Sequence, residues 1–166
     1  MSFLRTERLI LRPFVPEDAA PIFALSQEQS LRRGIPDQVY ADLQEASEAL
    51  ALLMSQYQRA PLPTQAPLVF AVVKRASEQV IGHVGLSPYR GVVEVGYAIG
   101  EAWQGRGLAT EAVRAWSRRG LTVLSLDAIW GVTARDNRAS SRVLEKAGYA
   151  HDRSEEGRDF FVLRAA

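Results

Sequence analysis

The chain has 166 residues, with 20 Lys plus Arg against 19 Asp plus Glu and a net charge of +1. That length suits one domain over residues 1–166 with a sizeable core, and the near-neutral balance provides no field to gather nucleic acid or an anionic membrane. The absence of cysteine excludes disulfides, thiolate metal sites and a cysteine nucleophile, and no run approaches the roughly 20 apolar residues of a membrane span, so a cytoplasmic location is expected.

Leu9 to Arg12 reads as a short strand ended by Pro13. Pro16 presets the first turn of a helix reaching about Gln27, with Glu17 and Asp18 at its positive end. Residues 29–40 carry Gly34 and Pro36 and are expected to form a loop, whereas Ala41 to Tyr57 is rich in Ala, Leu, Glu and Gln and is expected to be helical. Pro61, Pro63 and Pro67 make residues 59–67 a connection. Leu68–Lys74, Val80–Leu86 and Val92–Ile99 are consecutive β-rich apolar runs, which implies antiparallel neighbours.

After the turn from Gly100 to Gly107, Leu108, Ala112, Val113 and Trp116 recur at helical spacing in a helix running to about Leu124. Ala128–Thr133 is another strand. Asn137–Ala147 is a helix closed by Gly148, a residue suited to a left-handed cap, and Phe160–Leu163 is a final strand or hairpin. This order implies an α+β fold with a mixed, mainly antiparallel sheet flanked by helices on both faces.

The most informative stretch is Gln104-Gly105-Arg106-Gly107-Leu108-Ala109-Thr110, where a strand passes through a glycine turn into a helix. Such a passage presents unpaired backbone N–H groups and the positive end of a helix dipole, a combination suited to a pyrophosphate. Glycine lets the phosphate oxygens approach the backbone, and such nests often need positive φ. The alternative is a tight turn and nothing more. A P-loop would need Lys-Ser or Lys-Thr where Leu108-Ala109 stands, and a dinucleotide fingerprint would need a third glycine at Thr110 or nearby and a parallel unit.

The turn resembles the acetyl-CoA signature of the GNAT acetyltransferase superfamily at Gln104, Gly107 and Ala109. Two further segments resemble the branch of ribosomal-protein N-terminal alanine acetyltransferases: Thr6-Glu7-Arg8-Leu9-Ile10-Leu11-Arg12-Pro13-Phe14, and Asn137 to Tyr149. Together they span residues 6–149 in the family's order. The resemblance implies a central sheet splayed between Val92–Ile99 and Ala128–Thr133, with the pantetheine arm of acetyl-CoA in the gap. It places Tyr97, Ala98, Ile99 and Asn137 along that arm, and the diphosphate on Gln104, Gly105, Arg106, Gly107, Leu108, Ala109 and Thr110.

The same resemblance implies transfer of the acetyl group to a primary amine, the α-amine of a protein N-terminus or a small-molecule amine, by a monomer or homodimer. Glu94 is the candidate general base, sharing a strand face with Gly96 and Ala98. The alternative for Glu94 is a solvated sheet edge. Ser140 is the candidate partner of the departing thiolate, against the alternative that Asn137 merely caps a helix whose first turn contains an exposed Ser140. Tyr149 ranks below Ser140 as a proton donor.

Arg114, Arg118 and Arg119, with Arg106 or Arg135, are candidates for the 3′-phosphate, although a solvated helix face explains them as well. His83 and His151 are read as ordinary residues, with no spacing that suggests a metal. The acceptor is expected to enter between the sheet and residues 16–60, near Ile35, Tyr40, Tyr57 and Tyr89. The rival from another class is an inactive module that binds acetyl-CoA for sensing.

Overall fold

A computed structural model describes residues 3–59 and 62–166. The expected connection at residues 59–67 therefore lies partly outside the described residues, Pro61 included. Among the described residues one eight-stranded sheet runs in the order β1-β2-β3-β4-β5-β6-β8-β7. Its strands are β1 (Leu4–Arg5), β2 (Leu9–Arg12), β3 (Leu68–Lys74), β4 (Val80–Tyr89), β5 (Val92–Ile99), β6 (Ala128–Ala134), β7 (Ala150–Glu155) and β8 (Arg158–Arg164). The helices are α1 (Ala19–Ser26), α2 (Gln29–Gly34), α3 (Leu43–Arg59), α4 (Leu108–Thr122) and α5 (Arg138–Ala147).

The period-two alternation of each central strand feeds two cores. On one face Leu9, Leu11, Phe70, Val72 and Val95 meet Ala112, Val113 and Trp116 of α4 and Leu144 of α5. Trp116 is 1% exposed, and its ring centroid lies 4.3 Å from that of Phe70. On the other face Ala71 and Val73 meet Phe14, Ala19, Ile22 and Leu50 of the α1 and α3 layer. Burial on both faces is why β3 reads as a nearly unbroken apolar run, Leu-Val-Phe-Ala-Val-Val.

All strand pairs are antiparallel except β5–β6, which meet in parallel at a single bridge, Glu94 with Trp130. Beyond Glu94 the strand keeps β4 on one side and has no paired strand on the other. The sheet therefore opens as a wedge along Val95–Ile99, the splay that the family resemblance implies.

The corner after β2 is built around Asp18, which is 3% exposed. Its carboxylate accepts from both terminal nitrogens of Arg12 at 2.7 and 2.8 Å and from the Val15 N–H at 2.9 Å. These bonds fix the 3-10 turn Pro16–Asp18, with Pro16 at its first position, that leads into α1.

Two expectations need correction. Residues 29–40 are not all loop: they contain α2 and a 3-10 turn at Pro36–Gln38. A six-residue helix is too short to show a 3.6-residue period, and its first turn is held from afar, by the Ser30 N–H donating to Glu101 Oε1 at 2.8 Å. β7 also escaped the reading, because every residue of Ala-His-Asp-Arg-Ser-Glu is exposed. Its strand character comes from pairing with β8, not from an apolar face.

Candidate active site

The turn after β5 is shaped by bonds that point backward. The Gln104 side-chain amide donates to the Ile99 carbonyl at 2.8 Å and to Ser30 Oγ at 3.1 Å, while its backbone N–H donates to the Glu101 carbonyl at 3.3 Å. Gln104 thus braces the turn and spends its own N–H there. Gly105 and Gly107 have φ of 72° and 76°, conformations that cost other L-residues about 1–2 kcal/mol. Gly107 caps α4. From Gly105 to Thr110 no backbone N–H finds an acceptor among the described residues. Six donors at a helix start, with no side chain on either glycine, fit an anionic diphosphate.

A clamp from the N-terminus holds this turn, and sequence reasoning missed its chemistry. Glu111 Oε1 accepts from Thr6 Oγ1 at 2.6 Å and from the Arg8 N–H at 2.8 Å, and Glu111 Oε2 accepts from Arg8 Nε at 2.7 Å. Arg8 then donates to the Arg106 carbonyl at 2.8 Å. Burial alone would raise the Glu111 carboxyl, but the bonds from Thr6 and Arg8 outweigh it and hold the group below its ordinary value. The signal was present as Thr6-Glu7-Arg8 in the opening motif, without a partner that the sequence could name. A hollow of about 380 Å³ adjoins the turn, lined by the cations Arg8, Arg114 and Lys146, the carboxylates Glu7 and Glu111, and Gly107 and Thr110. Of the arginines proposed for the 3′-phosphate, Arg114 lines that hollow, Arg106 stacks 5.5 Å over Trp103, and Arg135 lies 3.8 Å from Asp159.

Across the wedge, the Tyr97 hydroxyl donates to the Ser140 carbonyl at 3.3 Å, tying β5 to α5. Burial raises the Tyr97 phenol above its ordinary value. Ala98 and Ile99 continue this strand, both paired with β4, with the Ala98 backbone turned to β4 and that of Ile99 to the unpaired side. Asn137 does cap α5, its side-chain oxygen accepting from the Ser140 N–H at 3.1 Å, and this leaves its amide NH₂ available. Ser140 is half-buried, and its hydroxyl makes no hydrogen bond among the described residues. Tyr149 is core: it is 4% exposed and its hydroxyl shares a hydrogen bond with Ser117 at 2.6 Å. Burial raises its phenol far above the ordinary range, so it holds its proton more tightly than a free tyrosine and is a poorer acid for the thiolate.

Glu94 points to the α1 and α3 side, the face that carries Gly96 and Ala98 and, on β4, Ser87, Gly85 and His83. Burial raises its carboxyl to about 7, with Arg158 opposing the shift. A cavity of about 330 Å³ opens on this same face. Of the four residues expected near the acceptor, Tyr40 lines it. Tyr57 instead braces the core, donating to the Val69 carbonyl at 2.5 Å and accepting from the Phe14 N–H at 3.1 Å. Ile35 and Tyr89 are not among the residues of its wall.

A wedge in a mixed sheet, a phosphate-type turn at its mouth and a carboxylate at its closed end define an acyl-transfer architecture. The model of the acetyltransferase (GNAT) domain matches residues 8–150, and the chain belongs to this family. It is 29% identical over 150 residues to the uncharacterized N-acetyltransferase YoaA of Bacillus subtilis (strain 168), covering 88% of this chain and 81% of that protein. In fold it matches the GNAT-family acetyltransferase from Bacillus anthracis with a TM-score of 0.82 at 19% identity, over 98% of both chains. It also matches RimL, a ribosomal L7/L12 α-N-protein acetyltransferase solved with coenzyme A, with a TM-score of 0.81 at 13% identity, over 99% of this chain and 98% of that one.

Proposed function

We propose that the protein moves an acetyl group from acetyl-CoA to a primary amine, with the α-amine of a protein N-terminus as the favoured acceptor type. The observation that carries this reading is the run of N–H groups from Gly105 to Thr110 without an acceptor among the described residues, at the mouth of the wedge whose closed end is at Glu94. Those N–H groups would hold the diphosphate, and the free edge of Tyr97 and Ile99 with the Asn137 amide would hold the pantetheine arm. When bound, acetyl-CoA supplies an acetyl group activated as a thioester.

Glu94 takes the proton that the acceptor ammonium must lose before it can attack. A base at about 7 is close to an α-amine at about 7.7–8.0 and roughly three units below a lysine amine, so proton transfer is nearly balanced for the former. Ser140 turns its free hydroxyl to the departing thiolate, orienting it and sharing a proton. A backbone N–H of the β5 edge at Ile99, which faces away from β4, polarises the carbonyl under attack. That RimL, of similar fold, is an α-N-protein acetyltransferase supports the same acceptor type here.

The test is thiol release with acetyl-CoA and paired peptides that differ only in a free or a blocked N-terminus. Release with the free form alone is expected. Equal release with a blocked peptide that retains lysine would contradict the α-amine assignment. Tight acetyl-CoA binding without release, and no effect of Glu94→Gln on any function, would favour the sensing module instead.

A further inference from the structure

The cavity above β4 and β5 has a chemistry that the transfer step does not require. Its walls are Phe14, Ile22, Leu50, Leu53 and Val69, so its inner surface is apolar. Its polar members are Asp37, Gln38, Tyr40, His83 and Ser87, of which Ser87 pairs with Glu94. Asp37 and Gln38 are solvent-exposed and stand at its edge. His83 lies in the wall, and burial lowers its imidazole to about 4, so the ring is uncharged near neutrality. No carboxylate or cation lines the depth of the cavity. Its volume, about 330 Å³, lies at the lower end of the roughly 300–1,000 Å³ of small-molecule sites.

The cavity adjoins the site through Ser87 and Gly96. Gly96 forms part of its floor and lies two residues from Glu94 on one strand face, a separation of about 7 Å. An amine held at Glu94 would therefore carry its substituent over Gly96. A Cβ built on Gly96 meets nothing within 4 Å, so the missing side chain leaves room in the cavity and none is excluded by the protein itself.

We propose that this cavity is the acceptor subsite, that it selects primary amines bearing a bulky, uncharged apolar group next to the nitrogen, and that Gly96 sets the size it admits. This rests on the transferase reading above and adds the substrate class to it. A cationic or acidic substituent would have to leave water for a largely apolar wall whose one carboxylate, Asp37, stands exposed at the edge, whereas an apolar group gains about 25 cal/mol for each Å² buried.

The experiment measures kcat/KM with acetyl-CoA for two series. One is amino-acid amides of Leu, Phe, Met, Ala, Gly, Lys and Asp, and the other is hexapeptides with the same first residues and a common remainder. The expected result is at least tenfold higher kcat/KM for Leu, Met or Phe than for Ala or Gly, and a further loss for Lys and Asp. Preference in both series places the selection in the first side chain; preference in the peptides alone, with amides unused, also supports it and shows that the chain beyond residue one adds binding.

Gly96→Val should lower kcat/KM for the bulky acceptors at least tenfold and erase their advantage over Ala, with acetyl-CoA affinity within twofold of the original. Gly96→Ala should do the same to a smaller degree. Equal or better use of Lys, Asp or Gly acceptors would overturn this proposal alone. Acetyl-CoA binding without thiol release from any acceptor would overturn it together with the transferase reading beneath it.

Discussion

At the scale of single residues, Glu94 carries the heaviest demand. If it is the base, the rate should rise with pH through an inflection near 7, since only the carboxylate can accept the proton. Glu94→Gln should cut turnover about 100-fold or more and remove that inflection, with acetyl-CoA affinity preserved. Turnover within twofold of the original would remove Glu94 from the role. The same shift has a consequence for stability. A carboxyl whose folded value lies above its ordinary 4.5 favours the protonated form in the fold, so charging it costs stability as pH rises from about 4.5 through 7. Glu94→Gln should therefore raise the melting temperature relative to the original chain at pH 8 and not at pH 4. A difference independent of pH would show that the carboxyl is not held in a poorly solvated place.

At the scale of elements, the turn between β5 and α4 is positioned by parts remote in sequence. Glu111 receives Thr6 and Arg8 from the N-terminus, and Glu101 and Gln104 meet Ser30 of α2. Glu111→Gln keeps the shape of the side chain but removes the charge that gathers three donors. We expect about tenfold weaker acetyl-CoA binding with an unchanged far-ultraviolet circular dichroism spectrum; unchanged affinity would show that the clamp does not govern the turn. This network also marks the limit of what the sequence discloses. Gly105, Gly107 and Gly148 were legible, because positive φ is a local demand that names its own residue, and all three show it. So were β3, β4 and β5, whose patterning records burial. The role of Arg8 was not legible, because its partner lies 103 residues away. Neither was α2, whose anchor lies beyond its own six residues, nor β7, which has no apolar face to announce it.

At the scale of the molecule, one sheet holds two cores and opens between β5 and β6. The helices α4 and α5 stand on one side of the opening and α1 and α3 on the other, and on the proposed reading acetyl-CoA and the acceptor reach the opening from these two sides. The corner at Arg12 and Asp18 ties the acceptor-side layer to the sheet. Asp18→Asn leaves Arg12 without its counter-charge in a largely buried place and should lower unfolding free energy by about 3 kcal/mol, read as a lower urea midpoint at unchanged slope. A loss below about 0.5 kcal/mol would show that solvent reaches this corner freely. The splay of the sheet was foreseeable from the family resemblance. The apolar character of the acceptor side was not, since its wall is assembled from segments running from Phe14 to Gly96 that share no motif.

On the proposed reading, the turn at Gly105 to Thr110 binds acetyl-CoA through its backbone N–H groups. Calorimetric titration of the original chain and of Gly107→Val with acetyl-CoA tests it most directly. A Cβ at Gly107 falls 3.4 Å from the Arg8 guanidinium, and a φ of 76° is strained for a branched residue, so the variant disturbs the donors of the turn while the two cores stay intact. We expect saturable one-site binding by the original chain and none by the folded variant. No binding by the original chain, or equal affinity in the variant, would contradict the account.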